Sequence, residues 1–217
     1  MLGGGKDFTG VDLSHINLSG ANLRGAVLIE TNLSGADLTN TVLEDALFCR
    51  TIMPYGTIKS DSTRILTVQQ LLELYAAGER KFPSIVICRA DLRNKDLRGI
   101  NLFVPESSDY PVYRSYLLNS DLSGANLEGS LLENISFRKS NLSNINLSGA
   151  TLLGVDFTEA NLRGANFLKA DTEGIDFTKA NLTGAKIAEY SLYWLTTFDN
   201  TTLPSGEVIV ERIYHGD

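Results

Sequence analysis

The chain has 217 residues, of which 43% are apolar and 21% are charged, and its formal net charge is −7. This apolar content excludes a natively disordered chain, and the acidic balance argues against a protein that binds nucleic acid by neutralising phosphates. No apolar run reaches the length of about 18 residues that indicates a transmembrane helix, and the first residues do not resemble a signal peptide.

A period of five residues dominates the first part of the chain. Ten large apolar residues, which we call centres, follow one another at spacings of five from Phe8 to Met53. This period fits neither an amphipathic helix nor an alternating strand, whose periods are 3.6 and 2. The centre and the residue two before it share one face of an extended segment, so the two outward residues after each centre mark a bend. The pattern therefore predicts a short stack of coils over residues 1–56.

Residues 57–84 interrupt this period and predict a linker followed by a capping helix. Thr67 is suited to begin the helix as its N-cap, and Gly78 is suited to end it. Apolar residues recur on one helical face, which predicts a helix that covers an open end of a repeat stack. The alternative is one continuous stack with the helix as a lateral insertion. The residues of the apolar face are Val68, Leu71, Leu72 and Tyr75.

A longer repeat occupies residues 85–192. Fifteen centres run from Leu117 to Ile187, and only Thr172 among them is not large and apolar. Some side chains recur every twenty residues, so we expect four pentapeptides to complete one coil and to advance the stack by about 4.8 Å. The recurring residues include Phe137, Phe157 and Phe177.

Proline-containing segments mark a loop and two ends. Residues 103–114 contain two prolines and predict a loop within the long stack. Residues 193–217 predict a C-terminal cap and tail, and a dimer interface is the alternative use of the nearby aromatic residues. Residues 54–56 (Pro-Tyr-Gly) have a partial counterpart in residues 204–206 (Pro-Ser-Gly). Because proline cannot donate a ladder hydrogen bond, both stretches predict the end of a stack.

The recurring pattern Ala-Asn-Leu-x-Gly resembles the repeat of the pentapeptide-repeat family, and related pentapeptides fill about two thirds of the chain. The resemblance implies an all-β solenoid, a right-handed quadrilateral β-helix, with one capping or inserted α-helix. The segment from Leu72 to Phe82 is also similar to the entry helix of HetL-like cyanobacterial members, which implies a cyanobacterial or related source. The pattern is clearest in Ala21-Asn22-Leu23-Arg24-Gly25 and Ala160-Asn161-Leu162-Arg163-Gly164.

The sequence offers little material for catalysis. His15 and His215 are the two histidines, and we interpret both as surface residues and not as parts of a Ser-His-Asp or Cys-His site. The glycines follow the corners of the repeat and form no phosphate-binding motif. We therefore predict no enzyme activity, no cofactor and no metal site.

Three side chains stand at unusual positions of the repeat. Cys49 and Cys88 each follow a centre, so we expect exposed free thiols, with a single disulfide between them as the alternative. Lys95 stands at an inward position, and because an unpaired buried ammonium is costly, we expect it to reach solvent or a carboxylate near the capped end. A local distortion of the repeat is the alternative. A predicted basic spot, suited to an acidic partner, comprises Arg89, Arg93, Lys95 and Arg98.

The leading hypothesis is a non-catalytic module that acts as a rigid protein-interaction scaffold or regulator. Residues that depart from the repeat are the predicted contacts, because the repeat itself needs only to fold. We expect a protein partner, no direct binding of nucleic acid or membranes, and a monomer or a homodimer formed through an end of the stack. The predicted contact residues are Phe103, Glu106, Asp109, Tyr110, Tyr113, Tyr116, Tyr193 and Trp194.

The alternative hypothesis is a DNA mimic that protects a type II topoisomerase, a function that the family resemblance permits because some acidic members, such as the Qnr type, have it. Those members resemble this sequence less. The net charge permits this function, but lysines and arginines are interspersed on the faces and the repeats are of the regular Ala-Asn-Leu type. We expect a cytoplasmic location. The thylakoid lumen or the periplasm is the alternative, if a leader has been removed.

Overall fold

A computed structural model describes residues 6–60, 66–83, 85–103, 115–188 and 196–210. The chain divides into two compact units, the first formed by Met1–Ile65 with Glu106–Tyr113 and the second by Leu66–Pro105 with Arg114–Asp217. The described elements are β1 (Val27–Ile29), β2 (Leu47–Cys49), β3 (Thr51–Ile52), β4 (Ile58–Lys59), α1 (Val68–Ala76), β5 (Val86–Cys88), β6 (Ser115–Leu118), β7 (Ile135–Ser136), β8 (Thr151–Leu153), β9 (Asp171–Glu173), β10 (Thr201–Thr202) and β11 (Val208–Ile209).

The regular pentapeptides share one local conformation. In a typical example, the side-chain Oδ1 of Asn161 accepts a hydrogen bond from the backbone N–H of Arg163 at 3.3 Å. The corner residue Gly164 has a φ of 66°, a left-handed conformation that glycine adopts without a steric cost. The N–H of Ala165 then donates to the carbonyl of Leu162 at 3.0 Å. These bonds form the bend that the sequence predicts between consecutive inward pairs.

Parallel backbone pairing joins positions that are twenty residues apart. In the first unit, β1 pairs with β2 and places Leu28 opposite Phe48. In the second unit, β8 pairs with β9 and places Leu152 opposite Thr172. Isolated parallel bridges extend the same offset through much of both units. The backbone therefore pairs at the same spacing of twenty residues at which the phenylalanines recur.

Parallel pairing across residues 103–114, the segment predicted as a loop, has an offset ten residues longer than the pairing that follows it. β5 pairs with β6 in parallel, and Val86 lies opposite Tyr116, thirty positions later. β6 then pairs with β7 at the ordinary offset of twenty. Of the predicted loop, only Phe103 lies within the described residues. The columns before and after the insertion nevertheless stay in register.

The predicted helix is confirmed as α1. The Thr67 hydroxyl accepts the N–H of Gln70 at 3.1 Å, and the Gln70 side chain accepts the N–H of Thr67 at 2.9 Å, which completes a capping box. Leu71 is buried in the core of the second unit, so the helix covers apolar residues at the beginning of that stack. Within the described ranges, no helix combines the length and apolar content needed to cross a membrane. Partly buried against the same core are Val68, Leu72 and Tyr75.

Phenylalanine rings form a column in the second unit. The rings of Phe137 and Phe157 are stacked with their centroids 5.5 Å apart, and Phe157 and Phe177 repeat this distance. Phe198 extends the column at 5.7 Å, and Phe167 meets two of the rings edge-on at 6.1 and 6.2 Å. Such aromatic pairs contribute about 0.5–1.5 kcal/mol each beyond their burial, so the column favours this register of the coils.

Both proline-containing stretches form the same kind of hairpin. β3 pairs with β4, and β10 pairs with β11, in each case antiparallel. In the first hairpin the N–H of Met53 donates to Thr57 at 2.8 Å, and in the second the N–H of Leu203 donates to Glu207 at 2.7 Å. Because each hairpin reverses the chain direction, it interrupts the parallel column. The stack ends that these stretches predict stay predictions.

The expectation of exposed thiols is wrong for Cys49, which is 3% exposed, whereas Cys88 is partly buried. Cys49 occupies an outward position, but so do Val27 and Leu47, which are 2% and 1% exposed. This face of the first unit is therefore covered, and an outward position in the repeat does not by itself make a side chain accessible. Neither Cys49 nor Cys88, both of which lie in the described ranges, forms a disulfide bond.

We predict that Phe157→Ala destabilises the protein by about 3–5 kcal/mol, because the substitution leaves a cavity in the middle of the ring column. Urea denaturation followed by circular dichroism measures the free energy of unfolding. Leu168→Ala, at an exposed position of the same stack, is the control and should change this energy by less than about 0.5 kcal/mol. Equal losses for the two variants would contradict the stabilising role of the column.

Candidate functional site

A groove of about 840 Å³ lies between α1 and the first coil of the second unit. One wall is the helix, where an apolar row of side chains spaced four residues apart lies beside two polar side chains, and the opposite wall is polar. We call this feature the α1 groove. The helix contributes Val68, Gln69, Leu72, Glu73 and Ala76, and the coil contributes Asp91, Arg93, Asn94 and Lys95.

Lys95 lines the groove at a position where the later coils have an apolar residue. The backbone keeps the repeat, since the Lys95 N–H donates to Leu92 at 3.2 Å and its carbonyl accepts from Asn126 at 2.9 Å. The residue itself is exposed, which confirms the expectation that its side chain reaches solvent near the capped end. In the later coils the same position holds the buried residues Ala125, Ile145, Ala165 and Ala185.

Asp91 and Arg93 form a bidentate ion pair on the polar wall. Nε and Nη2 of Arg93 donate to the two carboxylate oxygens of Asp91 at 2.8 and 2.6 Å. These side-chain hydrogen bonds, together with one from the Arg93 backbone, lower the pKa of Asp91 to about 2 and raise the pKa of Arg93. Asp96 and Arg98 repeat the arrangement in the next pentapeptide, with both N–O distances at 2.8 Å.

The predicted basic spot is consequently smaller than the sequence suggests. Arg93 and Arg98 each pair with the aspartate two residues earlier. Glu73, on the helical wall, accepts a hydrogen bond from Gln69 at 2.8 Å. Within the described part of the chain, the Lys95 ammonium has neither a hydrogen bond nor an ion pair. Lys95 is therefore the cation of the groove that is available to a ligand.

The groups that converge on the α1 groove are suited to binding. They are an ammonium, the side-chain amides of Gln69 and Asn94, and an apolar helical edge. Such a set can hold an anionic and partly apolar ligand through charge and burial. Among the residues that the structure describes, no group of three or more His, Cys, Asp or Glu side chains could hold a metal ion.

Asparagine side chains on the outer faces bond to one another between coils. Nδ2 of Asn161 donates to Oδ1 of Asn141 at 3.1 Å, and Nδ2 of Asn141 donates to Asp121 at 3.1 Å. A second ladder joins Asn166 to Asn146 at 3.0 Å. Because these amides already bond within the stack, they stabilise it and are weaker candidates for contacts with a partner than the α1 groove.

Two of the contact residues predicted from the sequence lie within the described ranges. Phe103 is partly buried, and its N–H donates to Oδ1 of Asn101 at 2.9 Å. Tyr116 lies in β6 and is 3% exposed, so its ring packs within the fold and is not an exposed contact. The other six predicted contacts lie outside the described residues and stay predictions: Glu106, Asp109, Tyr110, Tyr113, Tyr193 and Trp194.

The sequence does not predict the α1 groove as a site. The apolar face of the helix predicts packing onto the stack, and Val68 and Leu72 do pack partly against its core. The available signal was Lys95, a charged residue at an inward position. Such a residue can be accommodated only where the helix leaves part of the coil uncovered.

Comparison with known proteins identifies pentapeptide repeats in both parts of the chain. The family model "Pentapeptide repeats" matches residues 7–45 with eight copies, and the model "Pentapeptide repeat region" matches residues 112–192. The matched segments together cover more than half of the chain. Among functionally curated proteins, none matches significantly.

Several solved structures are similar at low identity. HetL, a pentapeptide-repeat protein involved in heterocyst differentiation regulation in the cyanobacterium Nostoc sp. strain PCC 7120, is 21% identical over 95% of this chain and 94% of its own, with a TM-score of 0.47. Rfr23 from the cyanobacterium Cyanothece 51142 is 23% identical over 64% and 97%, with a TM-score of 0.37. QnrB1, a plasmid-mediated fluoroquinolone resistance protein, is 15% identical over 89% and 92%, with a TM-score of 0.39.

We predict that acid destabilises the second unit partly through Asp91. A carboxyl group whose pKa is lowered by folding stabilises the fold above its unfolded pKa of about 3.9, and this contribution is lost as the pH falls towards the folded pKa. The melting temperature should therefore fall between about pH 4 and about pH 2, and Asp91→Asn should show a smaller fall. Thermal unfolding followed by circular dichroism measures both.

The control for this experiment is Asp171→Asn, at an exposed position of the same unit. It should keep the pH dependence of the unchanged protein. If Asp91→Asn also kept the full dependence, the Asp91–Arg93 pair would have no measurable part in acid stability.

Proposed function

Because the chain belongs to the pentapeptide-repeat family, we propose that it is a non-catalytic scaffold or regulator that binds a protein partner. Repeat stacks commonly serve as rigid binding surfaces. We also propose that each repeat stack is a right-handed quadrilateral β-helix. Parallel pairing at an offset of twenty residues supports four pentapeptides in each coil.

The observation that carries this proposal is the contrast between the regular faces and the α1 groove. On the regular faces, asparagine amides bond to one another between coils, and Asp96 pairs with Arg98. In the α1 groove, the ammonium of Lys95 stands beside an apolar row without an ion pair in the described residues. A charged group next to an apolar edge is suited to contact with another protein.

The proposal extends to the setting in which the protein acts. We place it in the cytoplasm, as a monomer or as a homodimer formed through an end of a stack. Native mass spectrometry of the full chain distinguishes the two oligomeric states. Fractionation of source cells, followed by immunoblotting, tests the location.

Proximity labelling in source cells tests the scaffold function. The chain fused to a labelling enzyme should enrich the same protein in replicate experiments, relative to the labelling enzyme alone. That protein, once purified, should bind the purified chain. Failure to enrich any protein above the control, or failure of every enriched protein to bind directly, would contradict the proposal.

A second candidate function, a DNA mimic that protects a topoisomerase, is favoured by the net charge of −7. The arginine–aspartate pairs oppose it, because a DNA mimic depends on acidic groups that are not compensated. Supercoiling by gyrase in the presence of a quinolone tests this function. We expect no protection at micromolar protein, whereas protection that rises with protein concentration would favour the DNA mimic over the scaffold.

A further inference from the structure

We propose that the α1 groove binds an acidic, partly apolar peptide segment of a partner protein, and that the Lys95 ammonium pairs with a carboxylate of that segment. This inference rests on the proposed scaffold function and adds the site and the chemistry of its ligand. The segment lies along α1, with its apolar side chains on the helical wall and its carboxylate towards the coil.

The position of Lys95 in the repeat is the first step towards this proposal. The backbone hydrogen bonds at Lys95 are those of an ordinary pentapeptide, so the fold requires no lysine there. The equivalent position in three later coils holds a buried alanine: Ala125, Ala165 and Ala185. An alanine at position 95 would therefore satisfy the backbone and the packing of the coil. The lysine side chain adds an ammonium to the groove and does not contribute to the packing of the core.

The charges around Lys95 determine which ligand it can hold. Both oxygens of Asp91 accept hydrogen bonds from Arg93, at 2.8 and 2.6 Å. On the helical wall, Nε2 of Gln69 donates a hydrogen bond to Oε1 of Glu73 at 2.8 Å. The formal charges of the groove cancel, and the charge of Lys95 helps to lower the pKa of Asp91, but Lys95 forms no ion pair in the described residues. A carboxylate from outside the chain complements this ammonium.

The apolar wall determines the remaining chemistry of the ligand. Val68, Leu72 and Ala76 follow one another along one edge of α1, and the groove extends along this row. At 1.5 Å per helical residue the row is about 12 Å long, which equals the length of about four residues of an extended peptide. Apolar side chains on such a peptide would cover the row, while a neighbouring Asp or Glu reaches Lys95. A small inorganic anion would leave this wall unused.

Selection from a library of random nine-residue peptides on the immobilised full chain tests the proposal. We expect enriched peptides to combine Asp or Glu with Leu, Ile, Val or Phe within four consecutive positions. Fluorescence anisotropy then measures the dissociation constant of the most enriched peptides. Enrichment of basic or purely polar peptides, or no enrichment, would overturn the proposal.

Lys95→Ala is the decisive variant, since alanine is the ordinary residue at this position of later coils. We expect the dissociation constant of the selected peptides to rise about tenfold, which corresponds to the loss of one charge-assisted contact. Lys186→Ala, which removes an exposed lysine from a later coil of the same unit, is the matched control and should leave binding unchanged. Glu73→Gln should lower the dissociation constant, because it removes a negative charge that faces the ligand.

Two further results separate this inference from the scaffold function. Circular dichroism should show that Lys95→Ala keeps the fold and thermal stability of the unchanged protein. If the labelled partner binds Lys95→Ala and the unchanged protein equally well, the scaffold function stands and the α1 groove is not its site. Equal binding of the selected peptides to Lys95→Ala and Lys186→Ala would overturn the role of Lys95.

Discussion

The in-register stacking of coils, twenty residues apart, is the constraint on which the rest of the structure depends. A single pentapeptide has one tight turn and a short extended segment, which cannot bury its own inward side chains. When the chain returns to the same column, its backbone pairs in parallel with the previous coil and its apolar side chains meet like residues. The stacked phenylalanine rings from Phe137 to Phe198 show this alignment of like residues in successive coils.

This constraint also explains where the protein departs from the repeat. A stack of coils leaves an apolar end that needs a cover, and in the second unit α1 buries Leu71 there. A helix is a cylinder about 10 Å across, and it contacts a coil along a single stripe. Lys95 occupies a part of the coil next to this stripe, where a side chain can leave the core. The α1 groove is thus a consequence of covering a coil with a helix.

Much of the fold follows from residue periodicity. The recurrence of Phe137, Phe157 and Phe177 predicts the offset of the parallel bridges, and the Thr67 cap predicts the beginning of α1. The burial of Cys49 could not be predicted, because the repeat indicates which way a side chain points and not whether that face is covered. The face that holds Cys49 also holds the outward residues Val27 and Leu47, which are almost completely buried.

The candidate site is less accessible to sequence reasoning. Asp91 and Arg93 flank one centre, so both point outward on the same extended segment, and this geometry could have predicted their pairing. The volume of the α1 groove depends on the angle at which α1 crosses the coil, which no local pattern encodes. Glu106, Asp109, Tyr110 and Tyr113 stay predictions of contact residues.

The most direct measurement of the stacking constraint compares two internal deletions. Removal of residues 141–160 deletes one complete coil and keeps every later residue in its column. Removal of residues 141–145 deletes one pentapeptide and shifts every later residue by one column. The free energy of unfolding in urea should be higher for the twenty-residue deletion than for the five-residue deletion, although it removes more of the core. An equal or greater loss of stability for the twenty-residue deletion would contradict in-register stacking as the constraint that holds the fold together.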